Sequence, residues 1–323
     1  MSCVALGASF RRTAGSYIDL MSASPHDEAE TWGVTRLSGS LGASVNGSDL
    51  ERVEDGTSLW RLLSEHLVLV FPGQTLSKAG QVRLAGLLGT PTLAHPVVPG
   101  DPEHPEILVL DGAQGGRNAR WHTDITFVLQ PAAASVLVAD ALPAWGGDTL
   151  WADARSAYER LAEPLRRALD ELRAVHRITP LAYWGEPADS ALGRDDAQAL
   201  LDQAATVPPV VHPVIRVHPI TGRRSLFVNP GFTSHVVGFS RIESDHVLAL
   251  CYEHLNQPEL TYRHRWQSGD VVIWDNQATL HYATDDYGGG DRRMRRVTVA
   301  GSTPIGPDGR PSEIVTDPFV AVR

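Results

Sequence analysis

Short apolar runs, each cut off by a turn signal, recur along this chain and constrain its fold more than any other feature. Leu67–Phe71 stops at Pro72-Gly73, Ala134–Leu142 leads into Gly146-Gly147-Asp148, and Val271–Trp274 is of the same kind, while Arg293–Ala300 is the last regular strand. Such runs, rich in Val, Ile and Phe, read as strands. Gly33–Leu50 reads as an opening hairpin, and Val210–Val217 and Ser225–Val228 as strands joined through Thr221-Gly222. Leu260–Trp266 is a further strand. Helical spacing is confined to a few places. Leu59–Leu67 carries Trp60, Leu63 and Leu67 on one face, and Ser77 caps a helix that Gly89 stops. Arg155–His176 reads as helical, with Pro164 opening a second helix inside it. Ser240 and Glu243 form a capping box ahead of the last helix. Residues 179–208 read as an irregular or partly helical insertion. The predicted fold is therefore mainly β with flanking helices: a double-stranded β-helix, or jelly roll. The expected boundaries are an N-terminal extension over 1–32, one domain over 33–304 and a C-terminal tail over 305–323.

A fold of this kind brings distant residues to one mouth, which matters for Trp121-His122-Thr123-Asp124. In a strand, side chains two apart share a face. His122 and Asp124 would then reach one metal ion together. A second histidine would complete a 2-His-1-carboxylate set, the arrangement that leaves coordination positions open in non-haem Fe(II) oxygenases. Thirteen histidines compete for that place. His281 is the candidate, because it follows the buried run Val271–Trp274 where apolar sequence gives way to polar. Any one histidine is more often a surface or satisfied core residue; His122 and His281 escape that reading only together. Zinc would suit the same ligands, so a zinc hydrolase and a non-catalytic metal-binding jelly roll stand as alternatives.

Four arginines fall in the five positions Arg292–Arg296. Strand alternation puts Arg292 and Arg296 on one face with Met294 between them. Two guanidinium groups aimed into one cavity suit two anionic groups, which each can grip with paired N–H donors. A solvated basic edge strand is the plain alternative. The cluster stands out against a formal net charge of −10, which argues against nucleic acid as a partner. Two cysteines, Cys3 and Cys251, exclude a disulfide scaffold or a cysteine-rich zinc site and fit a reducing cytoplasm. No run is apolar enough to span a membrane. The loop from Thr90 to Pro105 is long for a connection, and loops of that length are often functional.

Five segments together resemble the taurine dioxygenase (TauD/TfdA) family of iron(II)- and 2-oxoglutarate-dependent oxygenases. They are Trp121–Phe127, Gly146–Trp151, Leu226–Thr233, Ile273–Tyr282 and Arg292–Thr298. The likeness runs from about Gly33 to about Pro304. It implies Fe(II) on His122, Asp124 and His281, and Thr149 and Arg292 on the distal carboxylate of 2-oxoglutarate. O2 would be the oxidant. Arg296, His95, Asn118 and Phe232 would line the substrate pocket, with Arg296 gripping the anionic group. The resemblance thus implies an oxidoreductase that oxidises a C–H bond of a small organic acid by hydroxylation, with desaturation as a variant, in a homo-oligomer. Val98 stands where the family has a tyrosine, three residues after His95. That change favours a less polar acid than taurine and, with the divergent 177–208 segment, tilts the reading to a specialised-metabolite carboxylate, with sulfur scavenging from sulfonates or alkyl sulfates as the alternative. The Thr90–Pro105 loop, carrying His95, is expected to act as a lid.

Overall fold

The computed structural model describes residues 31–112, 119–178 and 202–316. A seven-stranded sheet forms its frame. In spatial order the strands are β1 (Gly33–Arg36), β2 (Ala43–Asn46), β3 (Val68–Phe71), β13 (Val271–Asp275), β5 (Ala134–Ala141), β15 (Arg293–Val299) and β4 (Ile107–Asp111). A three-stranded sheet, β12 (Thr261–His264), β6 (Thr149–Asp153) and β14 (Thr279–Ala283), faces it. Beside that lies a four-stranded sheet of β11 (Thr233–Val236), β7 (Arg173–His176), β8 (Val210–Pro213) and β16 (Glu313–Ile314). A hairpin of β9 (Ile215–Val217) and β10 (Arg224–Leu226) completes the set. The expected jelly roll with flanking helices is what forms.

Strand alternation sorts the side chains of the large sheet. Val136, Val138, Val271, Ile273, Val297 and Val299 point to one face and pack with Leu59, Leu63, Leu84 and Leu88. Those leucines come from helices α1 (Gly56–His66) and α2 (Lys78–Leu88), capped by Asp55 and Ser77. The other face turns Leu137, Val272, Trp274 and Met294 inward against Trp151 and Trp266. Ser135 and Arg296 belong to this inner face by the same alternation, so a hydroxyl and a guanidinium enter an otherwise apolar interior. Strand β15 lies between β5 and β4 and is not an edge strand, which removes the solvated-edge reading of the arginines. Arg295 points the other way and pairs with Asp140 at 2.7 Å.

Three sequence expectations change. The helical pattern of Arg155–His176 holds for α3 (Ala154–Glu159) and α4 (Glu163–Asp170), with Pro164 in the first turn of the second. Its last stretch is strand β7 instead, because pairing with β8 and β11 overrides the local period. Val210–Val217 breaks into β8 and β9, which join different sheets. The His122-Thr123-Asp124 strand reduces to one bridge at His122, followed by a turn. The insertion expected over 179–208 lies mostly outside the described residues. The Thr90–Pro105 loop is tied down by Thr92 N–H to Thr298 O, Ala94 N–H to Pro105 O and Lys78 to Asp101.

Candidate active site

The bridge at His122 is what assembles the site. His122 N–H donates to His281 O at 2.9 Å, and His281 N–H donates to His122 O at 2.7 Å. The two imidazoles therefore start from directly opposed backbones and meet with ring centres 4.1 Å apart. Asp124 enters from the turn beyond, where Ile125 has a φ of +47°. A β-branched residue rarely adopts that conformation, and it persists only where surroundings enforce it. Here the next residue is clasped: Thr126 Oγ1 meets Asn229 Nδ2 and His176 Nδ1, both at 3.0 Å, and Thr126 O meets His212 Nε2 at 2.8 Å. Thr123 Oγ donates to Thr279 O, tying the turn to the His281 strand. His122, Asp124 and His281 are buried, and one ligand atom from each lies within 4.8 Å of the others.

The surroundings prepare these three groups for a cation. His122 Nδ1 lies 2.8 Å from Arg120 O, which puts its proton there and leaves Nε2 as the nitrogen that could ligate a metal. Burial lowers the pKa of His122 and pulls that of His281 well down, so both rings are neutral. Burial would raise the pKa of Asp124, but the Arg296 charge above all, with the Ser135 hydrogen bond, counters it, and the carboxyl is held at about 2. A relay sets its orientation. Trp274 Nε1 donates to Asn276 Oδ1 at 2.8 Å, Asn276 Nδ2 to Ser135 Oγ at 2.7 Å, and Ser135 Oγ to Asp124 Oδ2 at 2.7 Å. Two neutral imidazoles and one fixed carboxylate, with no thiolate, suit a hard-to-borderline divalent ion such as Fe(II).

Arg296 reaches the same carboxylate through Nη1, while its Nε and Nη2 are buried without a hydrogen-bond partner among the described residues. Close by, Phe232 packs edge-on to His122 at 6.1 Å and against Phe127 at 5.0 Å. These rings join Val97, Ile125, Ala132, Ile178 and Ala204 in an apolar cluster. His95 sits against Phe127 at 5.8 Å. Its Nδ1 accepts the backbone N–H groups of Val97 and Val98, so its proton is on Nε2. Burial, helped by Arg296, holds its pKa at about 3. Asn118 lies outside the described residues.

Arg292 stands just before β15. It is 4 % exposed, yet among the described residues no carboxylate lies within ion-pair distance of it. Its Nε donates to Gly147 O at 3.0 Å, and the ring of Tyr287 lies 5.9 Å away. Burial lowers its pKa, against Tyr287 and Asp148. Buried charges are normally paired, and this guanidinium has no carboxylate partner among the described residues. Two residues beyond Gly147, Thr149 is buried with its hydroxyl accepting from Trp266 Nε1 at 2.9 Å. The donor set fits a dicarboxylic co-substrate. Sequence reasoning quoted the segments holding Ser135, Asn276 and Asn229 without giving those residues a part; only their meeting in space reveals it.

A jelly roll whose mouth holds a buried 2-His-1-carboxylate triad beside inward arginines defines the class of non-haem oxygenases. The sequence profile described as "Taurine catabolism dioxygenase TauD, TfdA family" matches residues 33–298, and the chain belongs to that family of 2-oxoglutarate-dependent dioxygenases. It is 42 % identical over 283 residues to the alpha-ketoglutarate-dependent sulfate ester dioxygenase of Pseudomonas putida, covering 85 % of this chain and 91 % of the relative. It is 38 % identical over 278 residues to an alkylsulfatase of Acinetobacter baylyi, covering 85 % and 86 %. The crystal structure of a taurine dioxygenase from Burkholderia xenovorans superposes with a TM-score of 0.75 at 36 % identity, covering 90 % of this chain and 97 % of that one.

Proposed function

We propose that this dioxygenase acts on alkyl sulfate esters, oxidising the carbon that bears the ester oxygen. The observation that carries the reading is Arg296: a buried guanidinium at the candidate metal ligands, with two N–H-bearing nitrogens unpartnered among the described residues, beside a wall of Phe127, Phe232, Val97 and Ile125. Guanidinium matches the paired oxygens of a sulfate, and the apolar wall matches an alkyl chain. His95 offers a neutral Nε2–H beside the same wall, and Val98 adds no polar group. Two relatives named for sulfate esters or alkyl sulfates support this choice over the specialised-metabolite carboxylate that Val98 and the divergent 177–208 segment favour. They tilt the balance to sulfur release.

His122, Asp124 and His281 would hold Fe(II), and Thr149 and Arg292 the distal carboxylate of 2-oxoglutarate. Bound together, these supply O2 activation coupled to decarboxylation of the oxo acid to succinate and CO2. Arg296 fixes the sulfate, and so decides which C–H bond is presented; positioning of this kind is worth several kcal/mol. Phe127 and Phe232 exclude water from that position. One oxygen atom inserted at the carbon gives a hemiacetal sulfate. Its C–O(sulfate) bond then breaks as the hydroxyl loses its proton, releasing an aldehyde and hydrogensulfate.

The test is a panel of linear alkyl sulfates, taurine, alkanesulfonates and apolar carboxylic acids with Fe(II), 2-oxoglutarate and O2, measuring succinate and free sulfate together. Alkyl sulfates should give equal amounts of both, and His122→Ala should give neither. Faster coupled turnover of a carboxylate or of taurine overturns the substrate assignment.

A further inference from the structure

The cradle proposed for the distal carboxylate contains one residue with no assigned part. Trp266 follows strand β12, is 8 % exposed, and directs its indole N–H to the Thr149 hydroxyl at 2.9 Å. We infer that Trp266 is a positioning residue for 2-oxoglutarate, turning the Thr149 hydroxyl into a donor aimed at the distal carboxylate. This rests on the reading of Thr149 and Arg292 given above.

The argument is one of donors and acceptors. An indole N–H can only donate, whereas a threonine hydroxyl has one proton and two lone pairs. With Trp266 as its donor, Thr149 must accept on that side, and its proton turns elsewhere. Among the described residues no group accepts it. A carboxylate can only accept, so the proton is directed to the one partner type that completes it. Without the indole, the hydroxyl could rotate to donate to nearby backbone carbonyls, as threonine commonly does.

Trp266 is itself held firmly. The His264 ring meets it edge-on at 4.8 Å. His264 Nε2 lies 3.0 Å from Asp270 Oδ2, which also accepts Gln267 N–H at 2.8 Å, closing the turn around the indole. The second arm has the same design: Arg292 Nε is engaged by Gly147 O, and Gly147 N–H by Asp286 Oδ1 at 2.9 Å. Each donor is thus restrained on one side by a neighbour.

The test is calorimetric titration of 2-oxoglutarate into Mn(II)-loaded protein, which reads binding without turnover. Trp266→Phe keeps ring packing and removes the N–H; a benzothienylalanine at position 266, with sulfur in place of N–H, does so with the full bicyclic shape should the first variant fold poorly. Either should weaken 2-oxoglutarate about five- to tenfold, the range of one neutral hydrogen bond. Binding of 2-oxovalerate, which lacks the distal carboxylate, should be unchanged. In a Thr149→Val background the same replacement should add no further loss. An equal loss for 2-oxovalerate, or an undiminished loss in the Thr149→Val background, overturns the positioning role. So does unaltered 2-oxoglutarate binding by Trp266→Phe where Thr149→Val weakens it. If Thr149→Val itself changes nothing, the Thr149 assignment fails, and this inference with it.

Discussion

Replacing Arg292 by methionine should make the ligand-free protein more stable while removing its response to 2-oxoglutarate. Arg292 is a buried cation with no carboxylate in ion-pair contact among the described residues, and Asp148 acts on it only from further away. Replacing a buried ion by an apolar side chain of similar length is commonly neutral or stabilising, by roughly 1–4 kcal/mol. Against this stand the hydrogen bond to Gly147 O and the contact with Tyr287. The first is worth about 1 kcal/mol, and the second, at 5.9 Å near the outer limit of such contacts, about 0.5–1 kcal/mol. The balance is a net gain of about 1 kcal/mol, or an upward shift of about 2–4 °C in the thermal midpoint for a domain of this size. The assay is thermal unfolding of Mn(II)-loaded protein with and without 2-oxoglutarate. At a hundred times its Kd, the ligand should stabilise the parent by about 2.7 kcal/mol. A hundredfold loss of affinity in Arg292→Met cuts this at the same ligand concentration to about 0.4 kcal/mol. A variant destabilised by more than about 2 kcal/mol would mean that the guanidinium serves the fold, on the scale of lost buried contacts. A variant still stabilised like the parent would mean that the distal carboxylate is held elsewhere.

Three further outcomes follow from the site. Ser135→Ala breaks the relay to Asp124 Oδ2, and should lower Mn(II) affinity about 10–100-fold, as loss of a metal ligand's hydrogen-bond partner does, read by equilibrium dialysis. Gly147 has a φ of +69°, and a Cβ there would sit 2.9 Å from Arg292 Cδ, so Gly147→Ala should raise the KM for 2-oxoglutarate about tenfold or more with Mn(II) affinity unchanged. Acid should destabilise the metal-free protein early. His95 and His212 have pKa values of about 3 when folded, and His176 is held well below its ordinary 6.5. The unfolded chain therefore binds more protons as pH falls below 6.5, and stability drops from there towards about pH 3, at up to about 1.4 kcal/mol per pH unit for each histidine. Urea unfolding at pH 7, 6 and 5 should show the fall, and a flat profile would contradict the buried neutral state.

Much of this site was legible because its chemistry rests on residue types that announce themselves. An imidazole and a carboxylate two apart, a later histidine after a buried strand, and arginines in an inward register all carry their meaning locally. The sequence could not show how Asp124 is presented. Strand alternation predicted the right meeting for the wrong reason, since the chain turns at Ile125 under hydrogen bonds from His176, His212 and Asn229, each remote in sequence. The strand Arg173–His176 was hidden in the same way: Leu169, Leu172 and Val175 keep a helical spacing, and only pairing on both sides makes the segment extended. Ser135 gave no signal at all, being a small polar residue in an apolar strand until Asp124 and Asn276 arrive on either side of it.

The backbone bridge between His122 and His281 also bears on how the ion is taken up. Bringing together positions about 160 residues apart opposes closure by on the order of 4–5 kcal/mol in a flexible chain. Here two main-chain hydrogen bonds and the surrounding sheets meet that demand before any cation arrives. Metal affinity is then free of the entropy of gathering the ligands, and is set by the charge and spacing of three groups already in place. Chelation should strip the ion and leave the barrel standing, so that loading and unloading are events of the mouth and not of the fold.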